Sequence, residues 1–573
     1  MLRLLKRVRA MGVLSFLLVG SLLISAEPAR QRVDYGLTVD GERMLAEVHS
    51  EIFSVTSTAT RVLIVIEAAQ AGKESKGRDE SWKERLRLHL PVWEKQFPSI
   101  TFSLMSLASD LEPSSQVFPP RGRAYDDVAS REANYVWKAI GTLAPDVVVV
   151  LAPADTLTWE IPTSFPEQAV FFRDWPGAQL ARVDSLAWAL STERVSSVGR
   201  VPALRVQFRE DSDLLPLWRQ VERSPVRSEA RRELARREQR TPLEVAQMLA
   251  RVYGQRFDEV SYIPALALIG RLYVDDLVSN SEHQASVRRL VAPYLSGEKP
   301  TLPPKSNGSQ QSGHLVFGVL ADREPDARWT ERVRAAADLG FDQRGEPLPA
   351  MPAHSEMSDA VFMGTPLLAL CARLTGEERY RQMALRHLRF MVALNERPDG
   401  LHQHSPVAPD RTAWGRGNGF VALGLALTLS ELSPQSVEFA DVLALYRKHL
   451  AAMAPHQDPQ GMWHQVVDEP GSYAEFSVTC MMAIAMTRGL RNGWINPAEY
   501  GARINHAWRS INRRISTDGA LIDVCTGTGK MKSRQEYLDR PAILGRDDRG
   551  GAMGLLLAVE LASAEREQCL ELR

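Results

Sequence analysis

Over residues 241–565 the sequence is a succession of helical stretches with almost no strand-like run between them, and this limits the possible folds more than any other feature. The stretch opens on Thr241-Pro242-Leu243-Glu244: an N-cap, a proline at the first helical position, and a carboxylate that can return to the cap. The same start signals recur. Thr375 and Glu378 form a second capping-box pair ahead of Tyr380, Met383, Ala384, His387, Leu388 and Met391, at spacings of three and four. Asn496, Pro497 and Glu499 precede a helix whose Tyr500, Ile504, Trp508, Ile511 and Ile515 share one face. About a dozen such segments are present. Helices in that number pair into a closed double ring, an (α/α)6 toroid, or stack as an α-solenoid. The absence of a clean repeat at about 34 to 45 residues favours the ring. Residues 296–314, rich in Pro, Gly and Ser, are expected as a flexible loop within it.

The preceding region has a different texture. Residues 61–67 (RVLIVIE) and 146–151 (DVVVVL) are continuous β-branched runs of buried-strand length, and amphipathic segments at 82–96 and 129–143 separate the strand candidates. Residues 35–205 therefore read as an α/β domain, and the Arg- and Glu-rich residues 206–240 as a solvated linker before the helical domain at 241–565. The expected fold class is multidomain: an N-terminal α/β domain followed by an all-α (α/α)6 toroid. Residues 1–26 carry Arg3, Lys6, Arg7 and Arg9, an apolar run over 11–25 and a small Ala26, the pattern of a secretory signal cleaved near Ala26. Export to a periplasmic or extracellular location is expected, with no stable membrane span after cleavage. The net charge of −1 gives no support to a nucleic-acid partner. None of the four cysteines, Cys371, Cys480, Cys525 and Cys569, forms a CxxC pair, and most sit in apolar surroundings that suit buried free thiols.

Residues 399–420, DGLHQHSPVAPDRTAWGRGNGF, concentrate the side chains suited to chemistry. His402, His404, Asp410, Trp414, Arg416 and Phe420 lie around a glycine-rich turn between two periodic helices. An indole ring offers a flat apolar face to a pyranose and a guanidinium grips a carboxylate bidentately, so a carbohydrate acid is the first ligand to consider. Asp359, at another helix start, is by itself most simply an N-cap. Brought together with Asp410 in a toroid, the two carboxylates would leave one protonated near neutral pH as a general acid. His464, in GMWHQVVD, is a further candidate contact, and Glu475 is expected to open the next helix. No HExxH or closely spaced ligand set suggests a metal.

Taken in order, DAVFMGTPLLAL, DGLHQHS, WGRGNGF, GMWHQVVD, YAEFSVTCMMAIAMTRGLRNGWI and DGALIDVCTGTG resemble the unsaturated rhamnogalacturonyl and glucuronyl hydrolases, glycoside hydrolase family 105 with its relatives in family 88, over about residues 245–565. The resemblance implies an (α/α)6 barrel, needing no metal or cofactor, that removes a terminal 4,5-unsaturated uronic acid from oligosaccharides made by polysaccharide lyases. It also implies the chemistry, hydration of the C4=C5 vinyl ether rather than displacement at C1. Carried over residue by residue, Asp359 holds or tunes the catalytic group, Trp414 and Arg416 stack on and pair with the uronate, and His404 and His464 contact substrate. The family's acid/base Asp commonly lies about three residues past the matching histidine; Val407 stands there, so the role is assigned to Asp410, the first carboxylate beyond it. Phe420 replaces the final Trp of the family's WGRGNGW. Two other readings compete: a carbohydrate-binding pseudoenzyme lacking the acid/base, and another (α/α)6 carbohydrate-active enzyme. Residues 118–150 faintly resemble zinc carboxypeptidase-like (M14) domains, but residues 67–73 read EAAQAGK where His-x-x-Glu is expected, which implies a lost zinc site and a non-catalytic module.

Overall fold

The computed structural model describes residues 30–67, 73–107, 117–120, 131–162, 175–279 and 281–572, so the expected signal segment at 1–26 lies outside the described residues. Eight strands form one sheet: β1 (Arg30–Leu37), β2 (Arg43–His49), β3 (Thr60–Glu67), β4 (Ile100–Leu107), β5 (Val147–Pro153), β6 (Thr158–Ile161), β7 (Gln179–Leu180) and β8 (Ala203–Phe208). Their order is β1-β2-β4-β3-β5-β8-β6-β7, with β4, β3, β5 and β8 parallel at the centre. Helices α1 (Lys73–Gln96), α2 (Arg131–Leu143), α3 (Leu186–Thr192), α4 (Leu215–Arg223) and α5 (Glu229–Glu238) cover it. Alternation along β3 explains its unbroken apolar run: Val62, Ile64 and Ile66 pack towards α1 and α4, whereas Leu63 and Val65 pack towards α2, α3 and α5.

The charged stretch 206–240, expected as a solvated linker, is instead folded onto this sheet. Trp218 and Leu234 are buried in the two apolar layers, and Arg231 reaches the fully buried Asp146, which also accepts from the Arg61 and Ser228 amides. Its arginines look solvated in sequence because their partner lies far upstream, at residue 146. Burial lowers the Arg231 pKa from its ordinary value.

Beyond it come α6 (Pro242–Val252), α7 (Tyr262–Val278), α8 (Glu282–Leu295), α9 (Gly308–Ser312), α10 (Leu315–Ala321), α11 (Ala327–Ala337), α12 (Ala360–Thr375), α13 (Glu378–Asn395), α14 (Gly415–Glu431), α15 (Val437–Met453), α16 (Phe476–Arg491) and α17 (Pro497–Arg513). A hairpin of β9 (Leu521–Cys525) and β10 (Ala542–Gly545), spanned by α18 (Arg534–Leu538), precedes the last helix, α19 (Asp548–Arg566). Helices α7, α10, α12, α14, α16 and α19 pack each on the next, and α19 returns to α7, closing an inner ring. Each has an outer neighbour in α6, α8, α11, α13, α15 or α17. The inner helices are buried almost all round, and the outer ones expose their polar faces, as an enclosed and a covering layer require. This is the (α/α)6 toroid.

Local signals explain most helix starts. Thr241 makes the full capping box with Glu244, and Asn496 caps α17 through the Ala498 amide. The Thr375–Glu378 pair does not: Thr375 ends α12, its hydroxyl accepting from the Glu377 amide, and Glu377 is the N-cap of α13. Residues 296–314, expected as a flexible loop, contain a capping box at Asn307–Gln310 that starts α9. The α/β domain docks on the toroid through an apolar layer that joins Val33, Tyr135 and Leu143 to Trp414, Tyr473 and Tyr537, with Lys138 bonded to Asp523 at 2.7 Å. Among the described residues no helix is long and apolar enough to cross a membrane.

Candidate active site

The inner helices begin at one end of the ring, and there a cavity of about 310 Å³ opens. Its wall takes Tyr262 from the start of α7, Gly308 and Gln311 from α9, Asp359 and Ala360 from α12, Arg416 and Phe420 from α14, and Arg549 from the first turn of α19. Helix N-termini carry partial positive charge, so their convergence favours an anion. The lining continues through the segment 351–357, in which Ala353, Ser355 and Glu356 hold left-handed φ values of 60°, 50° and 57°. Non-glycine residues rarely accept that conformation, and such strain tends to gather at functional sites.

Asp359 is the N-cap of α12 by position, but its side chain makes no capping hydrogen bond. The simplest sequence reading of this carboxylate is thereby removed. Its Oδ1 lies 3.4 Å from Nε2 of His404, and neither atom has a hydrogen-bond partner among the described residues. The backbone holds the two segments together, the Ser358 amide donating to the His404 carbonyl at 2.9 Å and the His404 amide to the Thr412 carbonyl at 3.0 Å. A Cβ on Gly417 would sit 2.6 Å from Ser358 Oγ and 3.4 Å from Asp359 Oδ1, so glycine is required for this approach.

His404 is fully buried behind Asp359, its ring 4.4 Å from that of Trp414. Its Nδ1 is 2.8 Å from the Tyr537 hydroxyl, which accepts from the Met531 amide at 3.2 Å. The hydroxyl can donate its own hydrogen to Nδ1, and in that tautomer the imidazole hydrogen sits on Nε2, facing Asp359. Burial pushes the Tyr537 hydroxyl up to about 12, so it keeps its hydrogen and can donate at neutral pH.

Arg416 lines the cavity but is only 2% exposed, and most of its donors are used inside the protein. Nε donates to Ser477 Oγ at 2.8 Å, Nη1 to the Thr526 carbonyl at 3.0 Å, and Nη2 to the Cys525 carbonyl and, at 3.5 Å, to Glu475. Glu475 caps α16 through the Val478 amide, as its position at the helix start suggests. Trp414 lines the wall with its Nε1 donating to Gln465 at 3.3 Å, and Phe420 stacks on Phe362 with centroids 5.1 Å apart.

Two expected contacts lie elsewhere. Asp410 is not brought together with Asp359: it is exposed, accepts from the Thr412 amide and hydroxyl at 3.2 and 2.5 Å, and binds the Arg534 amide at 2.5 Å. The intervening Pro406 and Pro409 carry the chain outward, so a carboxylate six residues past His404 pins a surface turn to α18 instead of entering the cavity. His464 points to the boundary with the α/β domain, bonded to Asp458 at 3.1 Å and the Ser472 carbonyl at 2.5 Å, beside Asp34 and Tyr35. Although burial opposes its charge, the Asp458 partner raises the His464 pKa.

The structure adds residues that the sequence reading passed over. Arg549, in GRDDRGG, and Tyr262 reach the cavity together, and His387 backs it from outer helix α13. A cation at a helix start after two aspartates reads as a surface residue, and nothing local tells otherwise. Fold and site together define a six-hairpin toroid with an anion-attracting cavity where its inner helices begin. A model of Glycosyl Hydrolase Family 88 matches residues 261–564, more than half of the chain, and the chain belongs to that family. Among its relatives, an unsaturated rhamnogalacturonyl hydrolase, YesR, of Bacillus subtilis is 30% identical over 128 residues, covering 22% of this chain and 35% of that protein. An unsaturated 3S-rhamnoglycuronyl hydrolase of Formosa agariphila is 25% identical over 181 residues, 28% of this chain and 48% of that protein. The chain thus spans about a third to a half of the length of these curated relatives. A solved structure described as a possible family 105 member from Salmonella enterica superposes with a TM-score of 0.49 at 18% identity, covering 56% of this chain and 94% of that one.

Proposed function

We propose that the chain removes the terminal 4,5-unsaturated uronic acid from oligosaccharides released by polysaccharide lyases. The observation that carries this reading is the cavity's charge pattern: one carboxylate, Asp359, and two guanidinium groups, Arg416 and Arg549, line a single space together with Tyr262, Trp414 and Phe420. An anionic, flattened sugar ring matches that pattern.

In the proposed step Asp359, entering as the carboxylic acid, passes its proton to C4 of the vinyl ether. Water adds at C5 and gives a proton back to Asp359, so the pair ends as it began. The C5 hemiketal opens its ring, and the C1 hemiacetal left behind releases the neighbouring sugar. His404, held by Tyr537, keeps its Nε2 hydrogen on Asp359 and orients the carboxyl. With Asp410 on the surface, one carboxylate serves as both donor and acceptor. The carboxylate-separation rule for glycosidases has no pair to act on, because the glycosidic bond is not the first to break.

The test is loss of the ultraviolet absorbance of the conjugated C4=C5 uronate when purified protein meets lyase products of pectin, rhamnogalacturonan, glucuronan and glycosaminoglycans. The reading requires a decay with at least one; unchanged absorbance with all of them defeats it. The absent second carboxylate favours the alternative of a sugar-binding pseudoenzyme, which would bind these products and leave the absorbance intact. Replacing Asp410 with Asn separates the two roles given to that residue. Loss of its turn contacts is expected to lower stability by about 1 kcal/mol and leave initial rates unchanged, whereas a large loss of rate at unaltered stability would return Asp410 to the chemistry.

A further inference from the structure

The sequence pairs the uronate with Arg416, yet Arg416 is already committed. Its Nε, one Nη1 hydrogen and both Nη2 hydrogens go to Ser477, Thr526, Cys525 and Glu475, which leaves a single hydrogen for a ligand. A bidentate grip on a carboxylate needs two parallel donors. Arg549 supplies them. Its Nε donates to the Tyr262 hydroxyl at 3.1 Å, its Nη1 stands 3.8 Å from Asp547, beyond hydrogen-bond reach, and neither Nη donates a hydrogen bond to any described residue. The side chain is 18% exposed, and that exposure is to the cavity it lines.

The surroundings keep this fork open. Asp547, the nearest carboxylate, spends Oδ1 on the Gly550 amide at 2.7 Å as the N-cap of α19, so it balances part of the guanidinium charge without occupying its outer edge. Nη2 passes 3.6 Å from where a Cβ on Gly527 would stand, so a bare backbone borders the fork on that side. Tyr262, buried and T-shaped against Phe420 at 5.5 Å, fixes the plane of the guanidinium through its hydroxyl.

We propose that Arg549 is the specificity-determining residue of this site, gripping the substrate carboxylate with its two Nη groups, and that Arg416 is a strut joining α14 to α16 and the β9 loop. This rests on the uronate reading above and adds to it a preferred chemical form: the free acid, with a carboxyl methyl ester bound about 20-fold more weakly because it cannot accept both hydrogen bonds with charge.

The experiment compares wild type, Arg549→Ala and Arg549→Lys on an unsaturated digalacturonate and on the methyl ester of its unsaturated residue, with KM and kcat from the absorbance decay, Kd from calorimetry, and thermal melts for folding. Arg549→Ala is expected to raise KM and Kd for the acid about 20-fold, with kcat changed far less and the ester unaffected. Lysine, which keeps the charge without the fork, is expected to recover only part of that loss. An alanine variant that binds the acid as wild type does, or that loses acid and ester equally at an unchanged melt, overturns the proposal. A wild type that binds the acid without consuming it defeats the hydrolase reading alone, since Kd still reports on Arg549; a wild type that binds neither compound overturns both.

Discussion

Replacing Asp359 with asparagine lowers turnover of unsaturated uronyl oligosaccharides by at least about 10²-fold, the scale of a positioned proton-transfer group, and leaves the melting temperature close to that of wild type. The stability half of this expectation follows from geometry. The carboxylate caps no amide, its Oδ1 has only the long approach to His404, and an asparagine oxygen in the same rotamer still faces the Nε2 hydrogen. Loss of a group that can give and take a proton is the chemical change. Kinetics and a thermal melt of the same preparation check it, and wild-type turnover in the variant would exclude Asp359 from the chemistry. A collapse of stability would instead make it a structural carboxylate.

Acidification from pH 6.5 towards 4 is expected to destabilise the toroid by about 3 kcal/mol for each of two buried histidines. Burial lowers His314 and His387 from 6.5 to about 4 in the folded chain. Their hydrogen bonds show why the neutral form is needed. His387 donates from Nε2 to the Ala360 carbonyl at 2.8 Å and accepts the Met351 amide on Nδ1 at 3.2 Å, so a second proton would set two donors against each other. His314 donates from Nδ1 to the Gln310 and Gln311 carbonyls, and its Nε2 is buried with no partner among the described residues. A folded pKa below the unfolded one means that the unfolded chain takes up more protons between the two values, so the stabilisation is complete above pH 6.5 and is lost as pH falls to 4. His402 and His449, lowered by burial too, act in the same sense, whereas His464, raised by Asp458, acts in the opposite sense at higher pH. Urea midpoints at pH 7 and pH 4.5 measure the total. His314→Gln, whose amide can donate to the same carbonyls, should flatten the change between these two pH values by about 2 kcal/mol; an identical profile in that variant would contradict the assignment. Because His387 ties the first turn of α12 to the cavity rim at Met351, activity should fall together with stability.

Much of the scaffold was legible because it is written in local physics. The unbroken β-branched run at 61–67 becomes β3, covered on both faces, and the Thr241 and Asn496 start signals become caps where expected. The glycines of WGRG do mark a close backbone approach, that of Gly417 to Ser358. What was not legible depends on partners distant in sequence. Asp410 looks catalytic until the Arg534 amide, 124 residues on, is seen to hold it at the surface. Arg416 looks like a ligand clamp until its partners at residues 475, 477, 525 and 526 are counted. Residues 296–314 read as a loop by composition, although Asn307 starts the short helix whose Gly308 and Gln311 line the cavity. Arg549 carried no signal at all, since only the closure of α19 onto α7 brings it to Tyr262.

A crystal structure of the Asp359→Asn variant with an unsaturated uronyl disaccharide tests the central claim most directly. The account predicts the unsaturated ring inside the cavity of the inner helices, C4 within about 3.5 Å of the residue-359 side chain and the carboxylate on the Nη groups of Arg549. A sugar bound elsewhere, or lying in the cavity with C4 turned away from residue 359, would contradict it.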